Sequence, residues 1–436
     1  MNNISKKYAV LKQCFNEYGV NSLGFIVKAV KINKKYGISI KKIISRDLIN
    51  ASDERLAMVA KERMYSDVRH LKKIHEATGW SEEEVKERCS PVLNRYDISL
   101  KNYYDNRMYL MSDDEIDEFV IGKEKAYEEK VDYVVSETGW SRQKVNDESV
   151  RCMMRFRLNF DNYVMFHAWN LTDQQIENFV TMNMSQKLKN KLNKRPKLFV
   201  DKLLFVKNYG EYLHRKIWFN RDTSFEEFKK FAAGLNLVFC KPLSSSKGRG
   251  AEKFELTGDL KRSYDQLMRK EPMIVEEYIL QHDELNRLYS GSVNTIRLCT
   301  ILKDGVCHHL GGFLKIGVTG SVDSMLYGGI YAGIDEKTGK LITPGVDSLG
   351  RRFEKHAVTG VTIQGFQIPR WDDVVGITEE AQMAMPENGF VGWDIAVRND
   401  DAVIVEGNSR PNLASYQACF AASKEGKKPL FETYLS

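Results

Sequence analysis

The first 180 residues of this chain resemble themselves at a spacing of sixty. The stretch "EATGWSEEEV" at 76–85 is echoed by "SETGWSRQKV" at 136–145, which sets Gly79 against Gly139. The register continues: Leu100, Asn102, Tyr103, Ile116, Phe119 and Val120 meet Phe160, Asn162, Tyr163, Ile176, Phe179 and Val180. An earlier unit fits as well, because "YGISIKK" at 36–42 precedes "YDISLKN" at 96–102 by the same interval, as Ser52-Asp53 precedes Ser112-Asp113. Self-similarity at such a period means stacked supersecondary units, each too small to bury its apolar face alone. Residues suited to cap helices recur in register, with Ser39, Ser99 and Asn159 at one offset and Ser52, Ser112 and Thr172 at another. Ser81 with Glu84, Ser112 with Glu115 and Thr172 with Gln175 have capping-box spacing. The expectation is an all-α domain over 1–185, built of three helical repeats. Its tyrosine-rich run "KNYYDNRMYLM" at 101–111 reads as core between repeats, with a concave face for a peptide, glycan or carrier as the functional alternative.

Composition narrows the class. The chain has 436 residues and a formal charge of +6, and no apolar run reaches the ~18 residues of a membrane span. The opening "MNNISKKYAVLKQCFNEYG" lacks the apolar centre of a signal peptide, so a cytoplasmic address is expected. Seven scattered cysteines without a CxxC pair read as reduced thiols, with neither disulfide nor zinc. Positive charge concentrates in "KAVKINKKYGISIKK" (28–42) and "KLKNKLNKRPK" (187–197), which are solvated helix faces or docking points for an anionic partner. No nucleic-acid module is recognisable, and no nucleic-acid partner is expected.

After Pro196 the texture changes to short apolar strands separated by glycine and polar turns. The run "GFVGWDIAVRNDDAVIVEGNSRPNL", 389–413, reads as a hairpin turning at Asn399, Asp400 and Asp401. Centring the turn on residue 400 places Asp394 directly across from Glu406, with Asn408 on the same face. Two opposed carboxylates at about 4.5–5.5 Å between Cβ atoms repel, and a bound cation would relieve them. Upstream, "LVFCKPLSSSKGRGAEKFEL" is a strand ending at Lys241, then a small-residue loop whose backbone N–H groups could approach phosphates. "PMIVEEYILQHDEL" runs a strand into Glu276, Glu277, Tyr278 and Ile279. "SVNTIRLCTIL" buries Arg297 in mid-strand, which is costly without an anion. "GGFLKIG" repeats that pattern with Lys315.

The order of these parts, carried by "QHDEL", "SVNTIRLCT", "GGIYAGID" and "VGWDIAV…IVEGNSRP", resembles the ATP-grasp superfamily from about residue 195 to the end. The branch it resembles is the sugar-transfer-associated one, related to glutamate ligases. The resemblance implies an α+β fold: an ATP-grasp domain over 186–436, with an N-lobe near 195–280 and a C-lobe near 281–436 clasping ATP, preceded here by the helical repeats. It implies that Lys202 and Lys241 contact the nucleotide. Ser244, Ser245, Ser246, Lys247, Gly248 and Gly250 would close over the phosphates. Glu276, Glu277, Tyr278 and Ile279 would line adenine, and Asp283 would meet ribose. Arg297 and Lys315 would act on the transferring phosphoryl group, Lys315 standing where relatives often have arginine. Asp394, Glu406 and Asn408 would hold Mg²⁺ through oxygen ligands. The small α/β domain that usually precedes the nucleotide lobes is replaced here by helices, so the resemblance does not extend to the substrate. The implied activity is ATP-dependent ligation of a carboxylate to an amine through an acyl phosphate. The alternatives are a kinase of a sugar or polyol hydroxyl, with His308, His309 or Asp323 as base, and a nucleotide-responsive binding protein.

Overall fold

The computed structural model describes Lys31, Ile32, Lys35 and residues 51–96, 98–243 and 250–435. The first expected repeat, with Ser39, lies almost wholly outside the described residues, as do Ser244, Ser245, Ser246, Lys247 and Gly248 of the expected phosphate loop. The chain divides into two compact units, Met1–Phe160 and Asp161–Ser436.

In the first unit, helices α1 (Asp53–Thr78), α2 (Glu82–Tyr96) and α3 (Leu100–Asp105) are followed by α4 (Asp113–Thr138) and α5 (Arg142–Phe156), and α6 (Phe160–Met165) begins at the unit's last residue. Each member of the second trio starts sixty residues after its counterpart and has the same length. The sequence pattern accounts for the boundaries. Ser52 caps α1 by accepting from the Arg55 N–H, and Ser112 and Glu115 close a full capping box on α4. Gly79 and Gly139 end the two long helices in the left-handed region, at φ 75° and 67°, where a side chain would be strained. Ile74, Val85, Cys89, Leu100, Tyr103, Tyr104, Met108, Tyr109 and Ile116 bury one another in a single cluster, so the tyrosine stripe is core.

The second unit takes in the rest of α6, then α7 (Asp173–Glu177), boxed by Thr172 and Gln175, α8 (Met182–Leu192) and α9 (Lys202–Tyr209). Part of the expected third repeat belongs to this unit through specific hydrogen bonds. The Val180 N–H donates to Gln417 Oε1, Ser185 Oγ donates to the Pro411 carbonyl at 2.5 Å, and Asn193 exchanges two bonds with the Phe390 backbone.

Two antiparallel sheets follow. The first runs β1 (Ile217–Phe219), β4 (Met273–Glu277), β2 (Leu237–Pro242), β3 (Glu252–Glu255) in spatial order, with α10 (Phe225–Ala232) and α11 (Leu260–Arg269) on one face. Trp218, Phe228, Phe231, Val238, Leu267 and Val275 form its core. The helix α12 (Asp283–Leu288) leads into the second sheet, made of β5 (Ile296–Lys303), β6 (Val306–Ile316), β7 (Ile330–Ile334), β8 (Gly345–Val346), β9 (Arg352–Phe353), β10 (Phe390–Val397) and β11 (Ala402–Asn408). Its spatial order is β11-β10-β5-β6-β7-β8-β9, and α13 (Trp371–Ala384) and α14 (Leu413–Phe420) complete it. Strand alternation divides the chemistry. Trp393, Ile395, Leu298, Ile296, Leu314 and Ile316 pack with α13 residues Val374, Ile377 and Ala381, leaving Asp394, Arg297, Phe313 and Lys315 on the other face.

Candidate functional site

The β10–β11 hairpin pairs Asp394 with Glu406 and Gly392 with Asn408, the register expected from the turn. A bulge between Asp394 and Ile395 shifts the rest by one, so Ile395 faces Ile404. On the other side of β10, Asp394 is paired with Arg297 of β5. Their side chains meet: Arg297 Nε and Nη2 donate to the two Asp394 oxygens at 2.5 and 2.7 Å, and Lys315 Nζ lies 2.8 Å from Oδ2. Asp394 is only 3% exposed. Burial raises its pKa, but Arg297 and Lys315 outweigh burial and hold the carboxyl well below the usual range. The charge expected to need a bound cation is thus answered by two cations of the chain itself.

Glu406 stays accessible to solvent, although protein crowds the carboxyl on the sheet face. That partial desolvation, and then the Asp394 charge, push its pKa upward. Asn408 Nδ2 donates to Glu406 Oε1 at 3.3 Å. Gly392 leaves room for the loop that follows: a Cβ there would stand 2.5 Å from Pro411 Cβ and 3.3 Å from Arg297 Cδ. Among the described residues no group of three or more His, Cys, Asp or Glu gathers as a metal site. Magnesium needs fewer, since one or two carboxylates with substrate phosphates suffice. The Glu406 oxygens and the Asn408 amide oxygen are hard donors that fit it, while both Asp394 oxygens are engaged by Arg297 and Lys315. Nearby, Asp323 accepts from the Thr295 N–H and Oγ1, at 2.9 and 2.5 Å.

The first sheet holds a second cluster. Glu276 lies across from Phe239, the residue two before Lys241 on β2, so both charged side chains share a face. Lys241 Nζ and Arg215 Nε converge on Glu276 Oε2 at 2.8 and 2.9 Å. Burial acts to raise the Glu276 pKa, but the two cations bring it down to about 2. Arg215 Nη1 also donates to the carbonyls of Leu213 and Ile404 at 2.9 and 2.7 Å, and Nη2 to that of Val405 at 3.3 Å. Sequence reasoning missed Arg215. In "LHRKIWF" it stands between two other basic side chains ahead of a short strand, and no local signal separates it from Lys216.

The other expected residues spread around these clusters. Lys202 Nζ donates to the Leu243 carbonyl at 3.3 Å, beside the 244–249 segment, and Gly250 follows that segment at φ 66°. Glu277 accepts from the Lys216 N–H, and the Tyr278 ring lies under Lys253. Ile279 is half-buried. Asp283 is exposed and pairs with Asn399 at the hairpin turn, several residues from Asp394. His308 packs on Tyr434 and His309 contacts Thr378, both toward the opposite end of β6 from Lys315.

Residues 245–428 match the family model for sugar-transfer associated ATP-grasp. The resemblance read from the sequence holds there. No curated protein matches the chain. Among solved structures, the ATP-grasp ligase PsnB complexed with minimal precursor is similar at 12% identity and a TM-score of 0.33, over 55% of this chain and 62% of that one. D-alanine–D-alanine ligase from Bacillus anthracis is similar at 13% identity and a TM-score of 0.32, over 55% of this chain and 67% of that one. The chain thus spans less than two thirds of the PsnB chain. Within the ATP-grasp segment lie Arg297, Lys315, Asp394, Glu406 and Asn408; Lys202, Arg215 and Lys241 precede it. Among the described residues no helix is long and apolar enough to cross a membrane.

Proposed function

We propose that this chain is an ATP-dependent carboxylate–amine ligase, with residues 186–436 as its ATP-grasp domain and residues 1–185 as a helical-repeat domain. The observation that carries the reading is Asp394, buried between Arg297 and Lys315 on the strand face that also bears Glu406 and Asn408, inside the family-matched segment. ATP is the phosphoryl donor. A substrate carboxylate oxygen attacks the γ-phosphorus and ADP departs; the amine nitrogen then attacks the acyl carbon, phosphate leaves, and the amine gives up a proton. Arg297 and Lys315 would stabilise charge on the transferring group, and their pairing with Asp394, which fixes both, supports that role. Glu406 and Asn408 would hold Mg²⁺, which when bound neutralises phosphate charge and aligns the reactants. Lys202, Lys241, Gly250 and the segment from Ser244 would cover the phosphates, Tyr278 and Ile279 would line adenine, and Asp283 would take ribose. Glu276 holds Lys241. The sixty-residue recurrence of helices supports assigning the acceptor, or a peptide or glycan carrier, to the N-terminal unit.

One observation favours a second reading. Asp323 lies within electrostatic reach of Lys315 and Asp394, where a base could serve a sugar or polyol hydroxyl, whereas His308 and His309 do not. Incubation with ATP, Mg²⁺ and a panel of amino acids, peptides and uronic acids separates the outcomes. Ligation yields equal amounts of ADP and phosphate only when two co-substrates are present. ADP with a phosphorylated product indicates the kinase, and binding without turnover indicates a nucleotide-responsive binding protein.

A further inference from the structure

We infer that Arg215 is a positioning residue that couples Lys241 in the first sheet to the Glu406 strand in the second, and so sets the metal response of nucleotide binding. The inference rests on the nucleotide reading proposed above. Its side chain is 2% exposed, and three of its four hydrogen bonds go to places that matter to that reading. Nε holds the Glu276 oxygen that also receives Lys241. Nη1 and Nη2 hold the carbonyls of Ile404 and Val405, and the residue that follows them on β11 is Glu406. The fourth, to the Leu213 carbonyl, fixes the guanidinium to its own loop.

β11 is the edge strand of its sheet, so its outer carbonyls have no neighbouring strand to bond. At the bulge in this edge strand the guanidinium fork bonds two successive carbonyls, immediately before Glu406. A lysine could match the charge of Glu276, but its ammonium lacks the planar fork that spans carboxylate and carbonyls together. Lys241, Glu276, Arg215 and the 404–405 backbone therefore form one continuous hydrogen-bonded chain between the two sheets. A shift of Lys241 toward a phosphate is transmitted to the strand bearing Glu406, and a shift of Glu406 toward a metal is transmitted back.

The test is fluorescence titration of full-length protein with trinitrophenyl-ADP, with and without Mg²⁺, for wild type and Arg215→Lys, alongside thermal melts. The expected result is a folded Arg215→Lys variant with wild-type affinity in EDTA and about ten- to a hundredfold more Mg²⁺ needed for half-maximal enhancement, the scale of losing charged hydrogen bonds. A wild-type Mg²⁺ requirement in the variant overturns the coupling. Equal losses with and without Mg²⁺, together with a lowered melting temperature, also overturn it, because a plain brace would act that way. Should Arg215→Lys fail to fold, the Mg²⁺ requirement is read from Arg215→Gln instead, and an unaltered requirement there overturns the coupling. Wild-type protein that shows no nucleotide binding removes the nucleotide reading and the coupling together, whereas normal wild-type binding with an unaltered variant removes the coupling alone.

Discussion

The two sheets of the second unit each bury a carboxylate against one arginine and one lysine, yet the two clusters differ in charge and in origin. Asp394 with Arg297 and Lys315 has Glu406 as neighbour and Asp323 within electrostatic reach, so three acids face two cations. Among the described residues Glu276 is the one acid paired with Arg215 and Lys241, so one anion faces two cations. The first cluster is therefore left with surplus positive charge, as the proposed phosphate contacts require, and the second with surplus acid, as the proposed Mg²⁺ site at Glu406 and Asn408 requires. The clusters also differ in construction. The Asp394 cluster comes from three adjacent strands whose register places the side chains side by side. The Glu276 cluster imports its arginine from a loop and uses it to reach the other sheet.

The strongest way to break this contrast is Arg297→Met, which keeps the aliphatic stem and strips Asp394 of its bidentate partner. Leaving one partner of a buried pair uncompensated costs about 3–5 kcal/mol, so urea denaturation is expected to show a loss of that order. Adding Asp394→Asn should recover much of the loss, since the orphaned charge goes with it. A fully stable Arg297→Met protein whose turnover falls about 10²–10³-fold would mean that Arg297 serves the reaction alone.

A pH series separates the acids. Glu276 has its pKa held down to about 2 from an ordinary 4.5, so its ionised form stabilises the fold above about pH 4.5, and that contribution is lost as pH falls toward 2. The shift corresponds to about 3 kcal/mol. Glu276→Gln should accordingly show a flatter acid limb in stability against pH than wild type. Coincident limbs would place the acid sensitivity elsewhere, with Asp394 next to examine because its pKa is lowered as well.

The smallest expected stability effect belongs to Glu406, whose pKa moves the opposite way. A raised pKa means that ionisation works against the fold: the neutral carboxyl contributes stability at low pH, and that contribution is lost as pH rises through the folded value. Glu406→Gln should therefore hold or raise the melting temperature at neutral pH without metal, by roughly the 0.2–1 kcal/mol of a cross-strand pair, reduced further by solvent screening. Stabilisation by added Mg²⁺ with ADP should disappear in the same variant. Undiminished stabilisation would remove Glu406 from the metal assignment.

Counting outward from residue 400 reached the pairing of Asp394 with Glu406 and, because strands have a period of two, the shared face of Asn408. The pairs nearest the turn, Val397 with Ala402 and Ala396 with Val403, nevertheless centre half a residue earlier, and the bulge is what restores the expected opposition. The bulge after Asp394 escaped, since a one-residue slip leaves no mark in an apolar run. Helix boundaries of the first unit were legible because caps are local chemistry, as Ser112 with Glu115 illustrates. The neutralisation of Asp394 by Arg297 and Lys315 was not, although both cations had been singled out, because cross-strand partners on β5 and β6 lie far away in the chain. Arg215 was invisible for the same reason: a guanidinium serving residues 276, 404 and 405 carries no trace of them in its own neighbourhood.

The hydrogen bonds of Ser185 to Pro411 and of Asn193 to Phe390 bear on how such a chain could have been inherited. A recombination event that exchanged the leading helices for another module at residue 195 would strand Phe390 and Pro411 beside foreign side chains. The Leu349 carbonyl, contacted by His167 at 2.9 Å, moves the tolerable breakpoint earlier still. Fusion partners should therefore be sought ahead of residue 161, and a lineage with different leading helices is expected to have kept the segment that ends in Asn193.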